Sequence, residues 1–468
     1  MKKTLLKSIF VLSISIFIAS CALLLNNYSG EHSDVNPGNE VEYVKPIKRG
    51  KHIRCYNKSD DLRIIMKKSD CTYIIEKDYA FDDTLVIPSK CELLFEGGSL
   101  RGPIRFNDTY LSGNINLKGS NLSGHISNYK FSTIWICYRD GMHDDAKNIN
   151  NALQVCDSLY INSGKYLLIQ PHEVNHKIPI DLSKSVDSYI GIFRSGISIS
   201  AENDAVLIAD NPRTVVCIYS EPGNISEQIK SISIDGVRIK CNNTGKDFNE
   251  FCHSIKLVGV TGCMISGCNF DDFWGDAICL SHYGDSPSTG ERTRNIDISI
   301  KDNTIKGGRH HNNRNGISII SGQNVRVNSN SIHGTSRKDM PGAIDIEANN
   351  TAYTIEDIEI NGNTISDCYG LTGGICLIAN AAGGPAHNIR IINNKISSCP
   401  NGVGFGIYAD GTVDNVFIAG NIVEADTEPY LFDGKGKTEN WCFSNNVFKK
   451  KTKRVIGGKL TITNLKVD

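Results

Sequence analysis

The stretch 341–350, PGAIDIEANN, carries two acidic side chains, Asp345 and Glu347, separated by a single isoleucine. Such alternation of apolar and polar residues is typical of a β-strand, in which every second side chain points to the same face. Both carboxyl groups are therefore expected on one face, with their backbone positions about 6.6–7 Å apart. Two carboxylates at this spacing repel each other, which raises the pKa of one and lets the pair divide acid and base roles.

Comparison with related segments indicates that this pair is unusual. Five segments can be aligned on a central isoleucine, namely Ile278, Ile317, Ile344, Ile375 and Ile407. Only the segment with Asp345 and Glu347 has acids at both of the outward positions that follow. Together with Asp276 or Asp410, the pair would also suit Ca²⁺, which takes several oxygen ligands. Ordinary alternation on a solvated strand face remains the alternative interpretation.

Basic residues precede the acidic pair in the stretch GGRHHNNRNG (307–316) and in the next turn. They are Arg309, His310, His311, Arg314 and Arg337. Arginine binds carboxylates with two parallel hydrogen bonds, so this pattern predicts a cationic rim that binds a uronate or a sulfated sugar. In that arrangement Arg314 is expected near Asp345, as a carboxylate clamp or as a Brønsted base. Solvated turns are the alternative.

One repeat earlier, the stretch DDFWGDAICLSHYGD (271–285) places an aromatic ring among acidic residues. The candidate substrate-binding residues here are Trp274, Asp276 and His282. An indole ring offers a large apolar face with a polar edge, which suits stacking against a sugar. Packing of Trp274 in the core is the alternative.

An internal repeat determines the fold that must position these residues. Five segments fit the pattern apolar-x-apolar-x-x-Asn-x-apolar, and three more fit it loosely. The key position recurs every 25 to 35 residues, at Val237, Cys268, Asn303, Asn330, Asn363, Asn394, Asn421 and Asn446. Each unit is too short to bury its own apolar face, so the units are expected to stack as coils of a parallel β-helix. The six asparagines are expected to form a structural column at a corner, where asparagine bonds the backbone and tolerates left-handed geometry.

Composition excludes several classes of function. The chain has 50 basic and 51 acidic residues, so its net charge of −1 does not favour nucleic-acid binding. Zinc-binding, P-loop and Ser-His-Asp signatures are absent from the sequence. If Cys21 is lipidated, 15 of the 16 cysteines remain, and this odd number argues against a full disulfide framework. Cys368 and Cys399 each lie five residues after a repeat asparagine, so they are expected to stack as a disulfide or as free thiols.

Residues 140–168 combine an acidic turn, a short amphipathic helix with Ile149, Leu153 and Cys156 on one face, and a strand. With the asparagine-containing coils, this segment resembles the pectate-lyase-like, right-handed parallel β-helix superfamily over roughly residues 132–450. The resemblance implies an all-β solenoid with a helix that caps its open end. No catalytic residue is carried over, because the polygalacturonase motif set and the Arg-x-Pro-x-x-Arg stretch of pectate lyases are missing.

The start of the chain resembles a bacterial lipoprotein signal. Three lysines precede an uncharged apolar run (8–20), and Cys21 follows directly after Ile-Ala-Ser. In such a lipobox the cysteine is lipidated and holds the protein on a membrane outside the cytoplasm. A plain membrane anchor is the alternative. We expect the outer membrane, on the periplasmic face or the cell surface, and the lack of acids directly after Cys21 favours the periplasmic face.

These observations predict four parts of the chain. They are a signal peptide (1–20), a lipidated cysteine and tether (21–45), a small β-rich domain or N-terminal coils (46–130) and the right-handed parallel β-helix (131–468). Residues 72–126 resemble the leader of exported β-helix lipoproteins from Bacteroidetes. The expected function is cleavage of an acidic polysaccharide by a monomeric lyase or hydrolase, with Ca²⁺ as a candidate cofactor of the lyase. A non-catalytic glycan-binding or adhesive protein is the alternative.

Overall fold

The repeat units wind into a three-sided, right-handed parallel β-helix. The computed structural model describes residues 42–468 except 60, 173–186, 222–224, 247, 283–293, 309–311, 336, 349–352, 354, 401–403, 425–428, 450–454, 457–459 and 468. In this part of the chain, three parallel sheets of twelve, eleven and ten strands form the sides and are called sheets 1, 2 and 3. Each coil passes through them in that order, which confirms the predicted fold class.

The strands of the three sheets have the following bounds. Sheet 1 contains Phe131–Ser132, Ser158–Ile161, Ser198–Ala201, Ile229–Asp235, Val260–Ser266, Asn295–Lys301, Gly322–Asn328, Ile355–Asn361, Ala386–Ile392, Val413–Ala419, Trp441–Ser444 and Lys466–Val467. Sheet 2 contains Asp140–Asp144, Gly164–Leu168, Ala205–Ala209, Arg238–Cys241, Asn269–Asp271, Thr304–Lys306, Ser331–His333, Thr364–Ser366, Lys395–Ser397, Ile422–Glu424 and Val447–Phe448. Sheet 3 contains Ser188–Ile192, Thr214–Tyr219, Ile255–Val258, Ile278–Ser281, Ile317–Ile319, Gly342–Glu347, Gly373–Ala379, Phe405–Ala409, Tyr430–Asp433 and Val455–Ile456.

The predicted asparagine column is present at the corner between sheets 1 and 2. The side-chain oxygen of Asn363 accepts hydrogen bonds from the backbone N–H and the amide of Asn330, both at 2.9 Å. Its own amide donates to the Val327 carbonyl at 2.8 Å and to Asn394 at 2.9 Å. The same pattern joins the other members, which are Asn303, Asn330, Asn394, Asn421 and Asn446. The column therefore supplies partners for buried backbone groups at every turn of this corner.

The left-handed backbone at this corner lies one residue earlier than expected. Asp302, Ser329 and Asn393 have φ values of 55–57°, and each directly precedes an asparagine of the column.

A second, exposed ladder of polar side chains runs along the outside of sheet 1 and was not predicted. Its members also have positive φ and bond from coil to coil, and they are Asp297, Asn324, Asp357, Asn388, Asn415, Asn440 and Asn464.

Residues 52–126 form shorter parallel coils that precede the β-helix, and the strand Tyr43–Val44 pairs antiparallel with one of them. Strands of successive coils pair with offsets of about 20 residues, as in Thr72 beside Glu92. The strands are Tyr43–Val44, His52–Cys55, Thr72–Ile75, Asp78–Ala80, Leu85–Val86, Glu92–Phe95, Ser99–Arg101, Pro103–Asn114 and Asn121–Ile126. One hydrophobic core runs without interruption from Cys55 to Phe443. These residues are therefore N-terminal coils of the solenoid, which is one of the two organisations expected for 46–130.

The predicted helix is present as Ala146–Val155, with Ile149 and Leu153 buried in the core. It follows the first strands of sheets 1 and 2 and precedes the first strand of sheet 3, so it takes the place of a third side in that coil. Asn151 donates to the Ser120 carbonyl of the N-terminal coils at 3.0 Å. The expectation of a cap on an open end is therefore corrected, because coils lie on both sides of this helix.

Further elements are short. They comprise the helix Leu62–Ile65, the 3-10 turns Thr133–Trp135 and Ile225–Glu227, and a two-stranded pair Lys437–Glu439 with Thr461–Thr463. Within the described ranges, no helix has the length and apolar character that a membrane-spanning segment requires. The fifteen cysteines after Cys21 are not joined in disulfides, which for Cys368 and Cys399 agrees with the thiol alternative. Cys21 itself lies outside the described residues.

Candidate functional site

The candidate site lies on the outer face of sheet 3, where six residues stack in register on successive coils. We call them the outer row, and they are Cys217, Lys256, Cys279, Ser318, Asp345 and Cys376. Their neighbours along each strand, such as Ile344 and Ile346, belong to the hydrophobic core, so the outer row points away from it. Each member is nevertheless no more than 5% exposed. An outward row of small, polar and charged residues is thus shielded from water.

An ion pair forms beside this row, between two of the predicted residues. Asp276 precedes the strand Ile278–Ser281 and is fully buried. Nη1 of Arg314 lies 3.1 and 2.9 Å from its two carboxylate oxygens, and the backbone N–H of Asn315 donates to Asp276 at 3.0 Å. Although burial raises the pKa of Asp276, Arg314 and these hydrogen bonds lower it further, to about 2. Asp276 is therefore ionised, and its charge is neutralised within the protein.

Asp345 lies on the other side of Arg314, one coil further along. Nη2 of Arg314 is 3.7 Å from Oδ2 of Asp345, and the Asn315 side-chain amide is 3.3 Å from the same oxygen. The other carboxyl oxygen, Oδ1, is buried and has no hydrogen-bond partner in the part of the chain that the structure describes. Ser318 joins the two sides, because its hydroxyl accepts from Arg314 at 3.2 Å and from Asn315 at 3.1 Å.

The two carboxyl groups beside Arg314 consequently differ in protonation. Burial raises the pKa of Asp345 well above its usual value, the repulsion of Glu347 raises it further, and the attraction of Arg314 only partly offsets both effects. Asp276 has direct contact with the guanidinium and stays ionised, whereas Asp345 keeps its proton. The site therefore holds one anion, one cation and one neutral carboxylic acid, which is the separation that acid–base chemistry requires.

Glu347 ends the same strand and is only partly buried. Burial raises its pKa, while Arg314 and a hydrogen bond with Asn380 oppose that rise. Because Glu347 is less buried than Asp345, burial raises the pKa of Asp345 more strongly, and Glu347 is expected to ionise first. The carboxyl groups of Asp345 and Glu347 thus lie on the same face of sheet 3, as their spacing in the sequence predicts.

The predicted calcium set is not assembled in this structure. Among the described residues, Asp276, Asp345 and Glu347 do not place three ligand atoms within 4.8 Å of one another, whereas His253, Asp276 and Cys279 do. This second set fits a metal ion poorly. Nδ1 of His253 accepts the backbone N–H of Asp276 at 3.2 Å, Arg314 neutralises Asp276, and burial raises the pKa of the Cys279 thiol so that it stays protonated.

Several predicted substrate-binding residues have structural contacts. Trp274 is 3% exposed and packs in the core, which corrects its interpretation as a sugar-stacking ring. His282 is buried, with its ring 4.3 Å from that of Tyr353. Arg337 stays at the surface, where it pairs with Asp339 at 2.9 Å and its guanidinium lies 4.1 Å from the Phe248 ring. The other rim residues, Arg309, His310 and His311, lie outside the described residues.

The alignment of the repeats contained one register error. Ile375 pairs with Phe405, and Ile407 pairs with Leu377, so the last segment was shifted by two residues. Asp410 therefore lies away from the acidic pair, and it accepts a hydrogen bond from the Lys435 backbone instead.

Three residues near the site were missed, although the repeat contains a signal for each. His253 and Asn315 occupy the position two residues before a central isoleucine, as Asp276 does. Lys256 follows Ile255 in IKLV and thus occupies the same outward position as Asp345. Extending the alignment one coil towards the N-terminus would have included this lysine.

Comparisons with known proteins agree with the architecture. A sequence model for a family described as the right handed beta helix region matches residues 253–423. No curated protein matches the sequence.

Solved structures are similar only in fold. The surface adhesin PfbA of Streptococcus pneumoniae has 12% identity and a TM-score of 0.46, and the alignment covers 72% of this chain and 91% of that chain. A tailspike protein of Acinetobacter baumannii phage AM24 has 11% identity and a TM-score of 0.46, covering 72% and 55%. An iota-carrageenase in complex with iota-carrageenan fragments has 12% identity and a TM-score of 0.40, covering 62% and 57%. At such low similarity, the function must be argued from the site itself.

Proposed function

We propose that this protein binds a polysaccharide along the outer face of sheet 3 and hydrolyses a glycosidic bond beside Asp345. The observation that carries the proposal is the buried Asp345, which lies 3.7 Å from Arg314, has a carboxyl oxygen without a hydrogen-bond partner among the described residues, and has a pKa that burial raises well above its usual value. A neutral carboxylic acid in a water-shielded site is suited to give its proton to a leaving oxygen.

The acid and the base have different positions in this mechanism. Asp345 is fully buried in this structure, so the bound chain must displace the side chains that cover it. Asp345 then donates its proton to the glycosidic oxygen as the bond between that oxygen and the anomeric carbon breaks. Glu347, which ionises first, takes a proton from the water whose oxygen attacks the anomeric carbon. Asp276 and Ser318 do not react but hold Arg314 in place through hydrogen bonds at 2.9 and 3.2 Å. They are positioning residues, and Arg314 adjusts how strongly Asp345 holds its proton.

Hydrolysis fits these contacts better than β-elimination with Arg314 as the base. Burial lowers the pKa of the guanidinium, but the negative charge of Asp276 raises it by more, so Arg314 stays charged. A Brønsted base must be able to lose its proton, and a paired arginine does not. Arg314 therefore does not act as a base. It acts as a carboxylate clamp, and the carboxylate that it holds is Asp276.

The test compares chain cleavage with binding. The mature protein is incubated with a panel of acidic and neutral polysaccharides, and both new reducing ends and the absorbance of unsaturated uronates are recorded. Hydrolysis predicts reducing ends alone, and Asp345→Asn is expected to lower their rate by roughly 10²–10⁴-fold while binding is retained.

A matched control is Asp433→Asn, because Asp433 lies in register with Tyr408 at the far end of the same face. This variant is expected to keep the normal rate. Binding without any cleavage by the unmodified protein would instead support the non-catalytic adhesive alternative. An equal loss of binding and rate in Asp345→Asn would assign Asp345 to binding alone.

The proposal includes an envelope location. The lipobox-like segment that ends at Cys21 supports a lipid anchor, which would hold the β-helix at a membrane surface. There it would meet polysaccharides before they enter the cytoplasm.

A further inference from the structure

A buried lysine occupies the outer row on the N-terminal side of the proposed catalytic residues. Lys256 lies in the strand Ile255–Val258, in register with Cys217 on one side and Cys279 on the other. Ile255 and Leu257 belong to the core, so the side chain of Lys256 points outward. The residue is only 5% exposed. Among the described residues, no hydrogen bond or ion pair involves its amine.

Among the described residues, the acids around this amine have other partners, and Asp187, which like Lys256 lies near Cys217, is paired with Arg213. Burial raises the pKa of both flanking thiols, which are therefore uncharged. Burial lowers the pKa of the nearby His253, which is likewise neutral. Asp276, on the adjacent coil, is already neutralised by Arg314 at 2.9 Å. A buried ammonium group without an anion is costly, so an anionic ligand would stabilise the charged amine at this position.

We propose that Lys256 forms an anion-binding subsite for an acidic glycan and binds a carboxylate or sulfate group of a sugar. This inference rests on the proposed function and deepens it by naming the substrate class. Lys256 and Asp345 are three strands apart in the outer row, which is about 14 Å at the strand spacing of a parallel sheet. A glycan chain lying along the solenoid axis would thus contact Lys256 some distance from its cleaved bond.

The chemistry of a lysine side chain suits an anion-binding subsite of this kind. The ammonium group is compact and makes up to three hydrogen bonds, so one charged group of a ligand can satisfy it. Arg238 shows the contrasting surface arrangement, because its guanidinium pairs with Asp271 of the protein itself at 2.9 Å. Lys256 lacks such an internal partner among the described residues, which leaves its charge available to a ligand.

The test uses Lys256→Met, which keeps most of the side-chain volume and removes the charge. Lys256→Arg restores the charge with a different shape, and Lys301→Met removes a charge from an exposed position of sheet 1. Urea unfolding is measured in sodium sulfate, sodium acetate and sodium chloride at equal ionic strength. Binding is measured on polygalacturonate, on its carboxyl-reduced neutral form and on dextran sulfate.

Three results are expected. Relative to chloride, sulfate or acetate raises the urea midpoint of the unmodified protein by more than the general stabilisation that such salts give to folded proteins, and Lys256→Met removes this additional rise. The variant also has a higher midpoint than the unmodified protein in chloride, because an unpaired buried charge is lost. Its affinity for the acidic glycan that the unmodified protein binds falls roughly tenfold or more, whereas binding to the neutral chain is unchanged. Lys256→Arg recovers part of that affinity, and Lys301→Met has no effect.

The inference is overturned if Lys256→Met keeps the anion-dependent rise in the midpoint, or if the unmodified protein shows no such rise and does not prefer acidic chains. Preference for polygalacturonate over dextran sulfate identifies the group as a carboxylate, and the reverse preference identifies a sulfate. Failure of the proposed function is recognised separately, because the unmodified protein would then release no reducing ends, or Asp345→Asn would release them at the normal rate, while Lys256→Met still loses anion binding.

Discussion

Nη1 of Arg314 lies 3.1 and 2.9 Å from the two carboxylate oxygens of Asp276, in a position where the aspartate is fully buried. The charge of this pair is balanced before any substrate arrives. The nearby Asp345 therefore receives only a weaker attraction, at 3.7 Å, which does not ionise it. One arginine thus keeps one carboxyl group charged and leaves a second one neutral.

Replacing Arg314 with methionine is expected to destabilise the fold strongly. The substitution leaves the Asp276 carboxylate buried without its cation, and loss of one partner of a buried pair costs about 3–5 kcal/mol. The measurement is the free energy of unfolding in urea at neutral pH. Arg238→Met is the matched control, because its pair with Asp271 has the same 2.9 Å contact but lies at the surface and is expected to contribute less than about 1 kcal/mol. Equal losses in the two variants would contradict the special role of the buried pair.

Acid is expected to weaken the fold through Asp276. Its pKa is lowered from 3.8 to about 2 in the folded protein, so its stabilising contribution is present above pH 4 and is lost as the pH falls through 2. The shift corresponds to about 2 kcal/mol. The slope of unfolding free energy between pH 4 and 2 should be smaller in Asp276→Asn than in the unmodified protein. An unchanged slope in Asp276→Asn would show that other carboxylates dominate.

Asp345 is expected to change the stability of the fold with pH in the opposite direction to Asp276. Its pKa in the folded protein is raised, so its contribution is present at acidic pH, below the unfolded value, and declines as the pH rises through the folded value. Asp345→Asn cannot ionise and should therefore flatten the decline in stability on the alkaline side. Urea unfolding at several pH values from weakly acidic to alkaline measures this effect. A steeper decline in the variant would mean that Asp345 is ionised in the fold.

The sequence pattern predicts the coil architecture better than it predicts the site. The asparagine repeat and the alternation in GAIDIE depend on local periodicity, which each coil carries by itself. The burial of Asp345 and Trp274, in contrast, depends on what covers them from other coils. Ion pairing of Arg314 with Asp276 joins residues 38 positions apart, and this choice of partner follows from stacking rather than from neighbouring sequence.

The inner asparagine column is expected to contribute far more stability than the exposed ladder. Asn363→Ala leaves the buried groups of Asn330 and the Val327 carbonyl without partners, and each unsatisfied group costs about 1–3 kcal/mol. Asn388 is the control, since it bonds to Asp357 at the surface and has a φ of 57° that glycine also adopts. Asn388→Gly should change the unfolding free energy by less than about 1 kcal/mol. Similar losses at both positions would contradict this difference.

Lipidation of Cys21 is expected to determine where the protein is found. Cys21→Ser removes the thiol that would carry the lipid, so the protein should leave the membrane fraction of an expressing bacterium and lose incorporation of labelled palmitate. Asn27→Ala, in the predicted tether, should keep both. A membrane-bound Cys21→Ser protein without label would instead support the plain anchor formed by the apolar run.

Glu92 is expected to hold the N-terminal coils together. Its buried carboxylate accepts hydrogen bonds from the backbone N–H groups of Ile47 and Arg49 and from the hydroxyls of Thr72 and Ser112, at 2.7–3.3 Å. Burial raises its pKa, but these hydrogen bonds lower it below the usual 4.5.

Glu92→Gln replaces one accepting oxygen with an amide that can only donate, so two donors lose their partner and stability should fall by about 2–4 kcal/mol. The free energy of urea unfolding measures this loss. Glu96→Gln is the control, because Glu96 belongs to the same coils and is exposed. The difference between the unmodified protein and Glu92→Gln should shrink as the pH falls below 4.5, since protonation of Glu92 removes the same interactions. A difference that stays constant with pH would mean that the side chain acts through its shape rather than its charge.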